Sequence, residues 1–93
     1  MIANFACRKT ERLWERRSDH RLPPQIERVA LRKLTQLDRS RELRDLRVPP
    51  GNRLEALKGS RVGEHSIRIN DQWRVCFRWL GEDACDVEIV DYH

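Results

Sequence analysis

The stretch from Glu64 to Trp79, EHSIRINDQWRVCFRW, leaves the chain few folds to choose from. Two alternating runs flank the turn-prone triplet Asn70, Asp71 and Gln72. Ile67 and Ile69 share one parity before the turn, and Trp73, Val75, Phe77 and Trp79 share one after it. Successive side chains along a strand point to opposite faces, so the pattern predicts an antiparallel hairpin with one buried face. The other parity carries Arg68, Arg74, Cys76 and Arg78, which predicts an exposed, guanidinium-rich face suited to a polyanion.

The rest of the chain is arranged around that hairpin. Met1–Ala6 reads as a short first strand, with Ile2 and Phe5 apolar. Arg8–Arg17 reads as a helix with a narrow apolar stripe at Leu13 and Trp14, Trp14 serving as its packing anchor. Ser18–Pro24 breaks it, leaving His20 in solvent. Pro23 and Pro24 open a second helix, since proline costs nothing in a first turn. Ile26, Val29, Ala30, Leu34 and Leu37 then recur at helical spacing and give it one apolar face. Arg41–Arg47 forms a further turn, Pro49, Pro50 and Gly51 end it, and residues 52–63 form a loop. A second tight turn at Gly81–Asp83 leads to a last strand, Asp86–Tyr92. Strands joined by short turns pair antiparallel, and both helices cover one sheet face. The prediction is an α+β two-layer domain spanning residues 1–93.

Charge narrows the partner. Residues 1–61 hold 16 Lys and Arg against 8 Asp and Glu, whereas residues 62–93 hold 3 against 7. Of the 19 basic residues only Lys9, Lys33 and Lys58 are lysine. Arginine presents a planar, bidentate fork to phosphate and stacks on bases, so the bias favours nucleic acid. No apolar run approaches the roughly 20 residues of a membrane span, and the amino terminus lacks the apolar centre of a secretory signal. A cytoplasmic protein is expected. Cys7, Cys76 and Cys85 show no metal-ligand or disulfide spacing, and His20, His65 and His93 are scattered. Free thiols, no metal and no cofactor are expected.

RNA can be cut without a metal. A base takes the proton of the 2′-hydroxyl, a cation stabilises charge on the phosphorane, and an acid protonates the leaving 5′-oxygen. Asp91, His93, Arg74 and Lys58 supply such groups if the fold makes them neighbours. Tyr92 can stack a base beside them. Arg61, bracketed by Gly59 and Gly63, sits in a segment able to approach a ligand closely. His65 shares parity with Ile67 and takes a structural, core-side role.

These residues carry a family resemblance. Leu57, Lys58, Gly59, Arg61 and Gly63, then HSIRINDQWRVCFRW, then the closing EIVDYH, resemble in order the HigB toxins of the RelE/ParE superfamily. The likeness runs through the whole chain. It implies a fold like that of microbial ribonucleases and a toxin of a type II toxin–antitoxin system. Such a toxin cleaves mRNA in the decoding site of the 70S ribosome. It further implies neutralisation by a HigA-type helix-turn-helix antitoxin, with operator DNA met only through that complex. By the same resemblance Lys58 is a basic active-site residue and Arg74 holds the scissile phosphate. Asp91, Tyr92 and His93 form the terminal catalytic cluster. From the strand parity and the glycine-bracketed loop, Arg61, Arg68 and Arg78 are expected to add RNA-binding charge. One position departs. Where relatives read L-H-P-L-K-G, this chain reads Leu54-Glu55-Ala56-Leu57-Lys58-Gly59, so Glu55 replaces a catalytic histidine as candidate acid or base. Two other readings use the same fold: a ParE-like toxin that poisons DNA gyrase, and a weakened toxin retained as its antitoxin's co-repressor.

Overall fold

The computed structural model of the protein describes residues 1–92; His93, assigned above to the terminal cluster, lies outside them. Four strands form an antiparallel sheet in chain order: β1 (Glu55–Ala56), β2 (His65–Arg68), β3 (Trp73–Leu80) and β4 (Asp83–Asp91). Two helices, α1 (Arg8–Trp14) and α2 (Glu27–Arg39), pack on one face of it. Leu13 from α1 and Ala30, Leu34 and Leu37 from α2 meet Ile67, Val75, Phe77 and Val87 of the sheet, all essentially inaccessible to water. Each such side chain larger than alanine contributes about 1.5–3 kcal/mol by leaving water. The α+β two-layer architecture read from the hairpin and helix periodicities is the one observed.

The hairpin turn is built by Asn70. Its Oδ1 accepts from the backbone N–H groups of Gln72 and Trp73, both at 2.8 Å, an Asx turn that closes β2 onto β3. At the far end of the sheet, β4 carries one residue more than β3. Cys76 pairs with Glu88 but Arg78 with Cys85, and Asp86 takes a φ of +51° inside this bulge. The extra residue slips the parity, so that Ile89 and Val87 are followed into the core by Ala84. That slip hides the strand's beginning: β4 starts at Asp83 rather than the expected Asp86.

Several other expectations need correction. Met1–Ala6 makes only two isolated parallel bridges to β4, Ile2 to Ala84 and Phe5 to Val87. Side chains take two further donors there: Asn4 Oδ1 accepts from Asp86 N at 2.5 Å, and Asp38 Oδ1 from Ile2 N at 2.9 Å. The first helix stops at Trp14 rather than Arg17. Arg17 N bonds Arg12 O and Arg16 N bonds Leu13 O, a Schellman ending with Arg16 at φ +63° where glycine is usual. Trp14 is half-buried against the core with the Arg16 guanidinium over its ring at 5.4 Å. His20 is buried, not solvated: its Nδ1 accepts from Leu22 N at 2.9 Å and its Nε2 lies 3.2 Å from Glu27 Oε2. One neutral tautomer satisfies both contacts, with Nε2–H donating to the carboxylate. The expected loop over residues 52–63 contains β1.

Thr10 ties α1 to the sheet, its buried Oγ1 accepting from Ile89 N at 2.9 Å. Thr10→Val keeps the shape and orphans that N–H, so urea denaturation should show a loss of about 1–3 kcal/mol.

Candidate active site

The register of β2 on β3 sets Arg68 directly opposite Arg74. Like charges placed so are unfavourable, and each must be answered locally. Asp71 in the turn takes the Arg68 guanidinium. Arg74 is answered three times over. Its Nε donates to Ser66 Oγ at 2.8 Å, its Nη2 to the backbone carbonyl of Arg53 at 2.6 Å, and its Nη1 lies 3.8 Å from Glu55 Oε1. Ser66 in β2 is the cross-strand partner of Glu55 in β1, so the β1–β2 pairing delivers a hydroxyl and a carboxylate to the same guanidinium. Arg53 turns its carbonyl there from a left-handed conformation, φ +46°. The Arg74 side chain is only 12% exposed, yet the N–H groups not bonded to Ser66 and Arg53 remain available to an anion.

Tyr92 completes the cleft. Its backbone N donates to Gln72 O at 2.6 Å, which holds the chain's end against the hairpin turn. The Arg74 guanidinium then sits 5.7 Å from the centre of the Tyr92 ring. Arg53, Arg68, Asn70, Asp71, Arg74 and Tyr92 together line a space of about 230 Å³ on the face away from the helices.

The other sequence-predicted residues lie outside this cleft lining. Asp91 pairs in register with Trp73, and its Oδ2 accepts from Gln72 Nε2 at 3.1 Å. Alternation along β4 therefore directs Asp91 to the side of the sheet opposite Arg74, while bringing Val90 and Tyr92 to Arg74's side. Lys58 is exposed and precedes the Gly59–Arg61 turn. Arg61 is engaged by Glu64 at 3.0 Å and Glu88 at 3.3 Å, and Arg78 pairs with Asp86 at 3.6 Å. The turn also crowds Arg78: a Cβ on Gly63, at φ +94°, would stand 2.8 Å from its Nη1. The second face is thus not the open arginine surface expected from parity, because the 59–64 segment lies against the middle of it, with Arg61 paired to Glu64 and to Glu88 of β4. His65 is half-buried with its ring stacked on Phe77 at 6.3 Å between centroids, as a core-side residue would be. The sequence reading missed Ser66, Gln72 and the Arg53 carbonyl. A serine and a glutamine among polar neighbours carry no distinguishing pattern, and a backbone acceptor carries none at all.

The sheet backed by two helices, with a caged arginine beside the penultimate tyrosine, fits the RelE-like class of toxin folds, and the family match carries that assignment. The model of the HigB-like toxins, described as RelE-like toxins of type II toxin–antitoxin systems, matches residues 3–93, and the chain belongs to that family. It is 43% identical over 81 residues to Toxin HigB-1 of Vibrio cholerae, covering 86% of this chain and 85% of that protein. It is 31% identical over 94 residues to Endoribonuclease HigB of Proteus vulgaris, across the full length of both. An antitoxin partner follows from membership of a type II system. Among the described residues no helix is long and apolar enough to cross a membrane.

Cys76, beneath the covering segment, offers a check on that cover. Burial pushes its thiol up to about 11, with Arg61 pulling the other way. Between pH 9.0, the ordinary thiol value, and about 11, the unfolded chain has released a proton that the folded chain keeps. Cys76 therefore makes stability fall as pH rises through that window. In native protein at pH 8, iodoacetamide should label the half-buried Cys7 and Cys85 and spare Cys76; peptide mass mapping reads the outcome.

Proposed function

We propose that the protein is a ribosome-dependent endoribonuclease that cleaves mRNA in the decoding site and so inhibits translation. The observation that carries this reading is the Arg74 guanidinium, locked by Ser66, Arg53 and Glu55 with N–H groups still unspent, beside the Tyr92 ring. Such a group can meet a scissile phosphate without reorganising, which is where electrostatic catalysis is most effective. Tyr92 stacks the base next to that phosphate, and Arg68 adds charge to the neighbouring one. Proteus vulgaris Endoribonuclease HigB, similar over its whole length, lends weight to RNA as substrate.

The reaction is in-line attack of a 2′-hydroxyl on its own phosphate, with no metal required. Glu55, at 3.8 Å from Arg74, stands where it can take the hydroxyl proton as the phosphate docks. His93 is the proton donor proposed for the leaving 5′-oxygen, Asp91 steadies the strand end through Gln72 from the other side of the sheet, and Lys58 stabilises phosphorane charge from its exposed loop. The toxin acts in the cytoplasm on mRNA held by the 70S ribosome. A HigA-type helix-turn-helix antitoxin silences it, and operator DNA is met through that complex.

Arg74→Ala should lower mRNA cleavage by at least about 100-fold and abolish growth arrest while leaving antitoxin binding intact. Mapping mRNA ends on translating ribosomes checks it, and unchanged ends with full toxicity would overturn the assignment. Glu55→Gln removes the base without changing shape and should cost about 100-fold, with Glu55→His restoring activity. A gain on Glu55→Gln would instead favour the weakened-toxin reading, in which the native carboxylate ties up Arg74.

A further inference from the structure

A second cleft, of about 380 Å³, opens on the other side of Glu55, between the Leu43–Arg47 turn and the β1–β2 edge. Its surface is mixed in a particular way. Leu43 and Leu54, half-buried and packed against the core, give it an apolar floor. Arg47 is exposed at its wall and its guanidinium makes no ion pair or hydrogen bond with any described residue, whereas Arg44 beside it is held by Glu42 at 2.8 Å.

His65 closes the cleft, and its Nδ1 is the one buried side-chain polar atom without a hydrogen-bond partner among the described residues. Buried polar groups are nearly always paired in native proteins, so an orphan on a cleft wall points to a missing partner. The ring is stacked on Phe77, and a half turn about Cβ–Cγ exchanges Nδ1 with a carbon while keeping the ring in the same plane. The imidazole thus has a hydrogen-bonding atom that the folded chain does not use.

We propose that this cleft takes one nucleotide of the RNA chain that lies across Arg74, and this rests on the nuclease reading above. The base lies on Leu43 and Leu54 with its edge toward His65 and Glu55, and its phosphate meets Arg47. A nucleotide needs this combination: an apolar plane, hydrogen-bonding groups at its edge, and a guanidinium. A free phosphate would have no use for the floor. Glu55 lines this cleft and its carboxylate lies 3.8 Å from Nη1 of Arg74, which lines the other, so a single strand crossing the β1 edge occupies both.

The test uses 5′-labelled 2′-O-methyl RNA, which cannot be cleaved at a blocked hydroxyl, as a dinucleotide and as a tetranucleotide. Fluorescence anisotropy compares the native chain with Arg47→Ala, Ala56→Leu, which fills the cleft from an exposed position, and Arg74→Ala. The tetranucleotide should bind more tightly than the dinucleotide. Arg47→Ala and Ala56→Leu should each weaken it about tenfold, the value of one charge-assisted contact, and leave the dinucleotide unchanged. The His65 imidazole NMR signals should shift with the tetranucleotide alone. Tetranucleotide binding unaffected by both variants, with the dinucleotide still dependent on Arg74, overturns this proposal and spares the nuclease reading. Dinucleotide binding indifferent to Arg74→Ala overturns both. His65 signals that move with antitoxin and never with RNA would assign the cleft to the protein partner and overturn it as well.

Discussion

Two guanidinium groups placed directly across β2 and β3 make a demand that much of the surrounding structure exists to meet. Each is unfavourable beside the other unless acceptors are close at hand. The hairpin turn supplies Asp71 to Arg68. For Arg74 the acceptors come from three separate places: Ser66 on the neighbouring strand, Glu55 on the edge strand, and the Arg53 carbonyl from the approach to that strand. The caging is therefore a tertiary event. A charge that is fixed, half-neutralised and still short of hydrogen-bond partners is well suited to receiving a phosphate.

That cage depends in turn on the segment bearing Arg53, and the segment is pinned from the core. Asn52 is fully buried. Its Nδ2 donates to Leu46 O at 3.1 Å and Gln36 Oε1 at 2.9 Å, and its Oδ1 accepts from Lys33 Nζ. Lys33 has little water around it, and burial, then the nearby Arg32 and Arg68 charges, push its ammonium below the ordinary lysine range. Helix α2 thus holds, through one lysine and one asparagine, the stretch that turns a carbonyl toward Arg74. Polar groups buried in this way cost free energy unless satisfied, and here their bonds define where an otherwise irregular segment runs.

Arginine abundance proved a blunt indicator compared with arginine placement. Arg61, Arg78, Arg17 and Arg44 all engage carboxylates within 3.6 Å, and Arg16 lies over Trp14. Such pairs contribute little to stability where they are exposed, and each engaged guanidinium leaves less charge for a polyanion. What distinguishes Arg74 is not its sign or its neighbours in sequence but its low exposure and the two neutral acceptors that hold it beside Glu55.

The sequence by itself determined the hairpin, its buried face, the turn at Asn70, the apolar face of α2 and the two-layer class, because each is written in local periodicity or turn chemistry. It also singled out Arg74 and Tyr92, although not what holds them. Only the tertiary structure decided that β1 exists, that β4 begins three residues early behind a bulge, and that His20 is buried. It likewise decided that Arg61 and Arg78 are tied to carboxylates while Arg74 is held by a serine, a backbone carbonyl and a glutamate from three segments. The reason is physical. Periodicity reports which face of an element avoids water, whereas the partner of a buried charge is whatever acceptor the folded chain brings within about 3 Å. A carbonyl oxygen, common to every residue, leaves no mark in the sequence.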